Sequence, residues 1–121
     1  MRIQGKIKSN IGFYIGDPLY VFTEDQYNEY WADVGFNNGI HPAGELKWAV
    51  ASASDRDGSH FDNKGREYIC DTASLALIPM ECVSRENEPG HYFYCPGTAG
   101  FIWEDDVFEI TLPTGEIIEI K

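Results

Sequence analysis

The chain has 121 residues and a formal net charge of −11, with 20 acidic side chains against 9 Lys and Arg. Leu, Ile, Val and Phe supply 29 residues, which excludes a disordered chain, and the length allows one domain, 1–121. The shortage of cations argues against binding a nucleic-acid backbone, and no apolar run reaches the roughly 18 residues of a membrane-spanning helix.

The opening, MRIQGKIKSNIG, has Lys and Arg but no apolar stretch of the signal-peptide kind, so the cytoplasm is the expected location. Ile3 and Ile7 alternate with polar residues there, the period-2 pattern of a half-buried strand. Two short runs, Gly12–Ile15 and Leu19–Phe22, read as strands flanking a turn at Gly16-Asp17-Pro18. Residues 23–34 read as the one helix. Thr23 and Gln26 make a capping box, Glu24 and Asp25 suit the positive end, and Tyr27, Tyr30, Trp31 and Val34 share a face before Gly35 ends it.

Residues 35–45 are rich in Gly, Asn and Pro and read as a loop. A strand over 46–54 is followed by Asp55-Arg56-Asp57-Gly58, read as a hairpin tip. Asp62–Gly65 is a second turn. Glu67–Asp71 and Leu75–Met80 read as strands, 84–90 as a polar turn, and 91–95 and 100–103 as strands around Pro96-Gly97. The end is a hairpin in which Phe108, Ile110 and Leu112 alternate and Pro113-Thr114-Gly115 turns the chain. The expected fold is mainly β: a bent antiparallel sheet or small barrel with one amphipathic helix near 24–34.

The charge is uneven. Residues 1–15 carry Arg2, Lys6 and Lys8 and no acid; every acid lies beyond them, and 101–121 sets six against Lys121 alone. Such acidity serves solubility, or it steers a basic partner. Cys70, Cys82 and Cys95 are odd in number and widely spaced, which favours thiols in a reducing compartment over a disulfide framework.

Three groups of residues are candidates for chemistry. Asp55, Asp57, Ser59 and Asp62 could offer oxygens to a divalent cation, but the sixth and twelfth positions from Asp55 are His60 and Arg66, not the Gly and Glu of a calcium loop. Turn-forming residues explain the cluster without an ion, so no metal is expected. His60, Asp62, Cys70 and Asp71 could meet across adjacent strands, as a thiol nucleophile would need; no surrounding motif supports catalysis. No phosphate-cradling glycine loop and no cofactor motif is present. The aromatic residues of HYFYC fall on both faces of one strand. That leaves Tyr92, Tyr94 and Trp103, with Glu104, Asp105 and Asp106 as an acidic rim, as core residues or as an interface.

Tyr14-Ile15-Gly16-Asp17-Pro18-Leu19-Tyr20-Val21, then Asp55–Phe61, then Asp71-Thr72-Ala73-Ser74-Leu75-Ala76-Leu77-Ile78-Pro79 follow one another here. This order resembles a group of small uncharacterised bacterial and phage proteins with a Y-I-G-D-P-C-Y-V opening, a G-D-G-x-Y centre and a D-S-G-x-I-G-I-I-P element. Leu19 stands in place of the cysteine, and Ala73 and Ala76 in place of glycines. The resemblance covers about residues 13–80 and implies a compact β-rich fold without implying a reaction.

The expected function is that of a non-catalytic interaction protein, with inhibitor, immunity-type and accessory roles of phages or mobile elements all fitting. Its partner would be another protein, a basic one where the acidity is functional. The alternatives are an enzyme or ligand-binding protein with Asp17, Asp55, Asp57, His60 and Asp71 around one pocket, and an assembly subunit with an exposed strand edge.

Overall fold

Alternation of apolar and polar residues decides where the sheets lie. In the computed structural model, which describes residues 2–33, 39–43, 46–52, 58–70, 74–86 and 91–121, the opening alternation becomes strand β1 (Ile3–Ser9). It pairs antiparallel with β9 (Gly97–Glu104), Ile3 opposite Trp103 and Ser9 opposite Gly97. β9 pairs with β10 (Val107–Thr111), and β10 with β11 (Ile117–Ile120), giving a four-stranded sheet in the order β1-β9-β10-β11. Directly opposed residues share a face. One face therefore collects Ile7, Ala99, Phe101, Phe108, Ile110, Ile118 and Ile120, each at most 3% exposed. The other turns Gln4, Lys6, Lys8 and Thr111 to water.

The second sheet has the order β3-β4-β7-β2-β8, from β3 (Gly39–Ala43), β4 (Leu46–Ser52), β7 (Ser74–Pro79), β2 (Phe13–Gly16) and β8 (His91–Phe93). Its described ladders are antiparallel too. Every residue of β2 is buried, as is Leu75–Pro79 of β7. Phe13, Ile15, Leu75 and Leu77 join the core of the first sheet, together with Tyr68 and Cys70 of β6 (Glu67–Cys70), which pairs with β5 (Gly58–Phe61). Tyr14, Ala76 and Ile78 face the opposite way and pack with Val21, Phe22 and Met80 into a second core. The helix α1 (Glu24–Asp33) closes that side through Tyr27. Its start is the predicted capping box: the Thr23 amide donates to Gln26 Oε1 at 2.8 Å, and the Gln26 amide to Thr23 Oγ1 at 3.2 Å.

The fold is thus mainly β, 55% strand, with one short α-helix among the described residues. The barrel alternative does not form, since the described sheets stay open. Two local expectations are corrected. Leu19–Phe22 is not a strand. Pro18–Tyr20 forms a 3₁₀ turn, because Asp17 Oδ1 accepts from the Leu19 amide at 2.9 Å and Pro18 O receives the amides of Val21 and Phe22. Residues 39–43, expected in a loop, form β3, and Pro42 is tolerated because β3 is an edge strand. Of the expected hairpin tip Asp55–Gly58, residues 55–57 lie outside the described residues; the strand before it, β4, pairs with β3 and β7, and the strand after it, β5, with β6. Gly35 and Val34 lie outside the described residues, as do the side chains of Tyr30 and Trp31.

Candidate functional site

The densest polar cluster is built on the turn between β5 and β6. Asp62 closes it locally: Oδ1 accepts from the amides of Lys64 (2.8 Å) and Arg66 (3.0 Å). Oδ2 accepts from Arg66 Nη1 (3.0 Å) and the Tyr68 hydroxyl (2.7 Å). Its side chain is wholly out of solvent. Burial alone would raise its pKa; the four bonds, from Tyr68, Arg66 and Lys64, outweigh burial and lower it. Arg66 continues to Glu116 Oε2 at 2.9 Å and lies 5.1 Å from the Phe93 ring centroid. Beside it the Asn63 side chain acts as a short strand: Nδ2 donates to Ile117 O at 3.0 Å, and Oδ1 accepts from the Glu119 amide at 3.1 Å. Both Asp62 oxygens are thus taken by donors within the chain, so the network fastens β11 and leaves Asp62 no lone pair poised for an ion or a proton.

Of the five residues of the candidate pocket, Asp17 and His60 are described, and they lie on different elements. Asp17 is fully buried at the end of β2, beneath the 3₁₀ turn. There its carbonyl accepts from the Tyr14 hydroxyl at 2.7 Å. Burial first, then the Asp17 charge, raise the Tyr14 pKa and keep that phenol a neutral donor. His60 lies on β5, its Nδ1 3.2 Å from Lys121 O. Asp55, Asp57 and Asp71 lie outside the described residues. In the register His60 stands opposite Tyr68 and Cys70 opposite Gly58, so His60 and Cys70 share a face as diagonal neighbours, with the Cys70 side chain in the core; Asp71 lies outside the described residues. Burial pushes the Cys82 thiol up to about 11 and also raises Cys95, the reverse of what a nucleophile needs. Among the described residues no three His, Cys, Asp or Glu side chains gather as metal ligands would.

The candidate interface residues separate. Tyr92 pairs with Tyr14 on the helix side, ring centroids 5.2 Å apart. Trp103 packs edge-on to Phe108 in the space between the sheets. Tyr94 is 63% exposed and donates to Glu86 Oε1 at 2.9 Å. The aromatic residues are thus spread apart, Tyr92 half-buried against the helix-side core and Trp103 against the other. The acidic residues lie together. Glu104 is the last residue of β9, and Asp105 and Asp106 turn the chain with φ of 52° and 64°, the double positive φ of a tight hairpin.

Register extends that acidic group. Ile102 of β9 stands between Gln4 and Glu109, and Glu109 opposite Glu119, so all four lie on the outer face. In the next row Gly100 stands between Lys6 and Thr111. A groove of about 370 Å³ lies over Gly100, walled by Gln4, Lys6, Ile102, Glu109 and Thr111. A second hollow of about 270 Å³ shares Ile102 and Glu109 and reaches Arg2, Glu104 and Val107. Sequence reasoning named Glu104, Asp105 and Asp106 but missed Glu109, Glu119 and the groove; the i, i+2 alternation of FEIT and IIEI carries the signal once the register is known. No protein-family model, curated protein or solved structure matches the chain.

Proposed function

We propose that this chain is a non-catalytic protein-binding domain that docks a basic partner on the outer face of its four-stranded sheet. The observation that carries the reading is the convergence of Glu104, Glu109 and Glu119 with the Asp105–Asp106 turn on one water-facing surface. A carboxylate group of this size attracts cations over about a Debye length and speeds their docking. The buried polar groups support the same reading from the other side, since Asp62, Arg66 and Tyr68 spend their bonds on one another. An inhibitor, an immunity-type partner or an accessory factor, cytoplasmic and of phage or bacterial origin, would use such a surface.

The test is an isotope-labelled NMR titration with a hexa-lysine peptide. Shift changes should concentrate on β9–β11, and affinity should fall roughly tenfold from low to physiological salt. The triple variant Glu104→Gln, Glu109→Gln, Glu119→Gln should lose binding, while Glu24→Gln with Asp25→Gln should retain it. Equal losses in the two variants would reduce the acidity to a solubility device and end the proposal.

A further inference from the structure

A glycine inside a strand weakens it, and chains keep one there where a turn, a bulge or a close neighbour requires it. Gly97, at the start of β9, meets such a requirement: its φ is 135°, and a Cβ there would fall 2.9 Å from Pro113 Cβ. Gly100 does not. It sits in the middle of β9, its φ is outside the left-handed region, and a Cβ would find only Gly5 O, 3.9 Å away. Nothing within the described chain fills the space above it. That space is the groove, with Ile102 and the stem of Lys6 as its walls and Glu109 at one end.

We infer that this groove is a socket for an arginine side chain on an extended segment of the protein partner, an inference that rests on the acidic-face reading. The bare peptide of Gly100 and the flank of Ile102 suit the flat guanidinium and its three-carbon stem. Glu109 offers a carboxylate for paired N–H donors, a geometry that lysine does not match. Lys6 fixes the direction: its cation at the opposite wall repels the guanidinium and points it toward Glu109, Glu104 and Glu119.

The experiment compares hexa-arginine with hexa-lysine on the intact chain and on Gly100→Leu, which fills the groove and keeps every carboxylate. The wild-type chain should prefer hexa-arginine by about tenfold, the scale of one good charge-assisted pair. Gly100→Leu should abolish that preference and leave hexa-lysine binding unchanged, with Gly100→Ala intermediate and its circular dichroism and melting curve confirming a native fold. An arginine preference that survives in Gly100→Leu, or that is missing from the wild-type chain, overturns the socket while the acidic-face reading stands. Failure of both peptides to bind overturns both.

Discussion

The two large sheets solve opposite problems. The five-stranded sheet is dry on both faces at its centre: Ile15 and Leu77 point to one core and Tyr14 and Ile78 to the other. The four-stranded sheet is dry on one face only. Ile110 is fully buried, while its neighbours Glu109 and Thr111 face outward. The first sheet is therefore committed to stability in every residue of β2 and of most of β7. The second keeps half of its positions available for contact, and the acids and the groove occupy that half.

The contrast is tested most severely by truncating adjacent residues. Leu77→Ala and Ile78→Ala should each cost about 2–5 kcal/mol in urea denaturation, because both side chains leave cavities. In β10, Ile110→Ala should fall in that range, but Glu109→Ala should stay within about 0.5 kcal/mol. A large loss from Glu109→Ala would mean that the outer face is structural and the distinction false. Asp62→Ala should cost about 3 kcal/mol, since it leaves the Tyr68 hydroxyl and the Lys64 and Arg66 amides without their acceptor and Arg66 with Glu116 alone; an unchanged melting curve would show that β11 is held by its ladder alone.

Acid offers a smaller perturbation of the same fastening. The Asp62 pKa is lowered from its ordinary 3.8, and that of Glu81, which accepts from Ser9 and the Asn10 amide, from 4.5. A lowered folded-state pKa stabilises above the unfolded value and is lost as pH falls through the folded one. Stability should therefore hold near neutral pH and decline below about pH 4, less steeply in Asp62→Asn. The smallest effects should be gains: Gly100→Ala about 0.5–1 kcal/mol and Asp105→Gly about 0.5 kcal/mol, the first by removing strand flexibility and the second by relieving a positive φ. A loss of stability in Gly100→Ala would show that the glycine serves the fold itself.

The two sheets also differ in how far they could be read from the sequence. Alternation in RIQGKIK and in DVFEITL marked the four-stranded sheet and its buried face directly. In the five-stranded sheet the apolar runs of FYIG and LALIP showed strands without showing direction, because residues buried on both sides leave no periodic signal. Leu19–Phe22 looked like the same kind of run, and only the Asp17 side chain, capturing the Leu19 amide, turned it into a helical turn. The Thr23–Gln26 box was legible because both of its halves are local. The acidic face was legible only at Glu104–Asp106, where its members are neighbours in the chain; Glu109 and Glu119 join it through pairings that no local pattern specifies. The candidate pocket draws on separate elements too: Asp17 follows β2 and His60 lies on β5, while Asp55, Asp57 and Asp71 lie outside the described residues.

Ile3 of the first strand pairs with Trp103 of the ninth, and this pairing has a kinetic consequence. The β9–β10–β11 meander can zip up from nearest neighbours, whereas β1 must wait until β2 to β8 have all been made before its partner exists. Until then Ile3 and Ile7 have no ladder to join and the flank of β9 is open. Assembly of the cationic border beside the groove is thereby the slow, late step of folding, and a nascent chain would expose its stickiest edge until that step is complete.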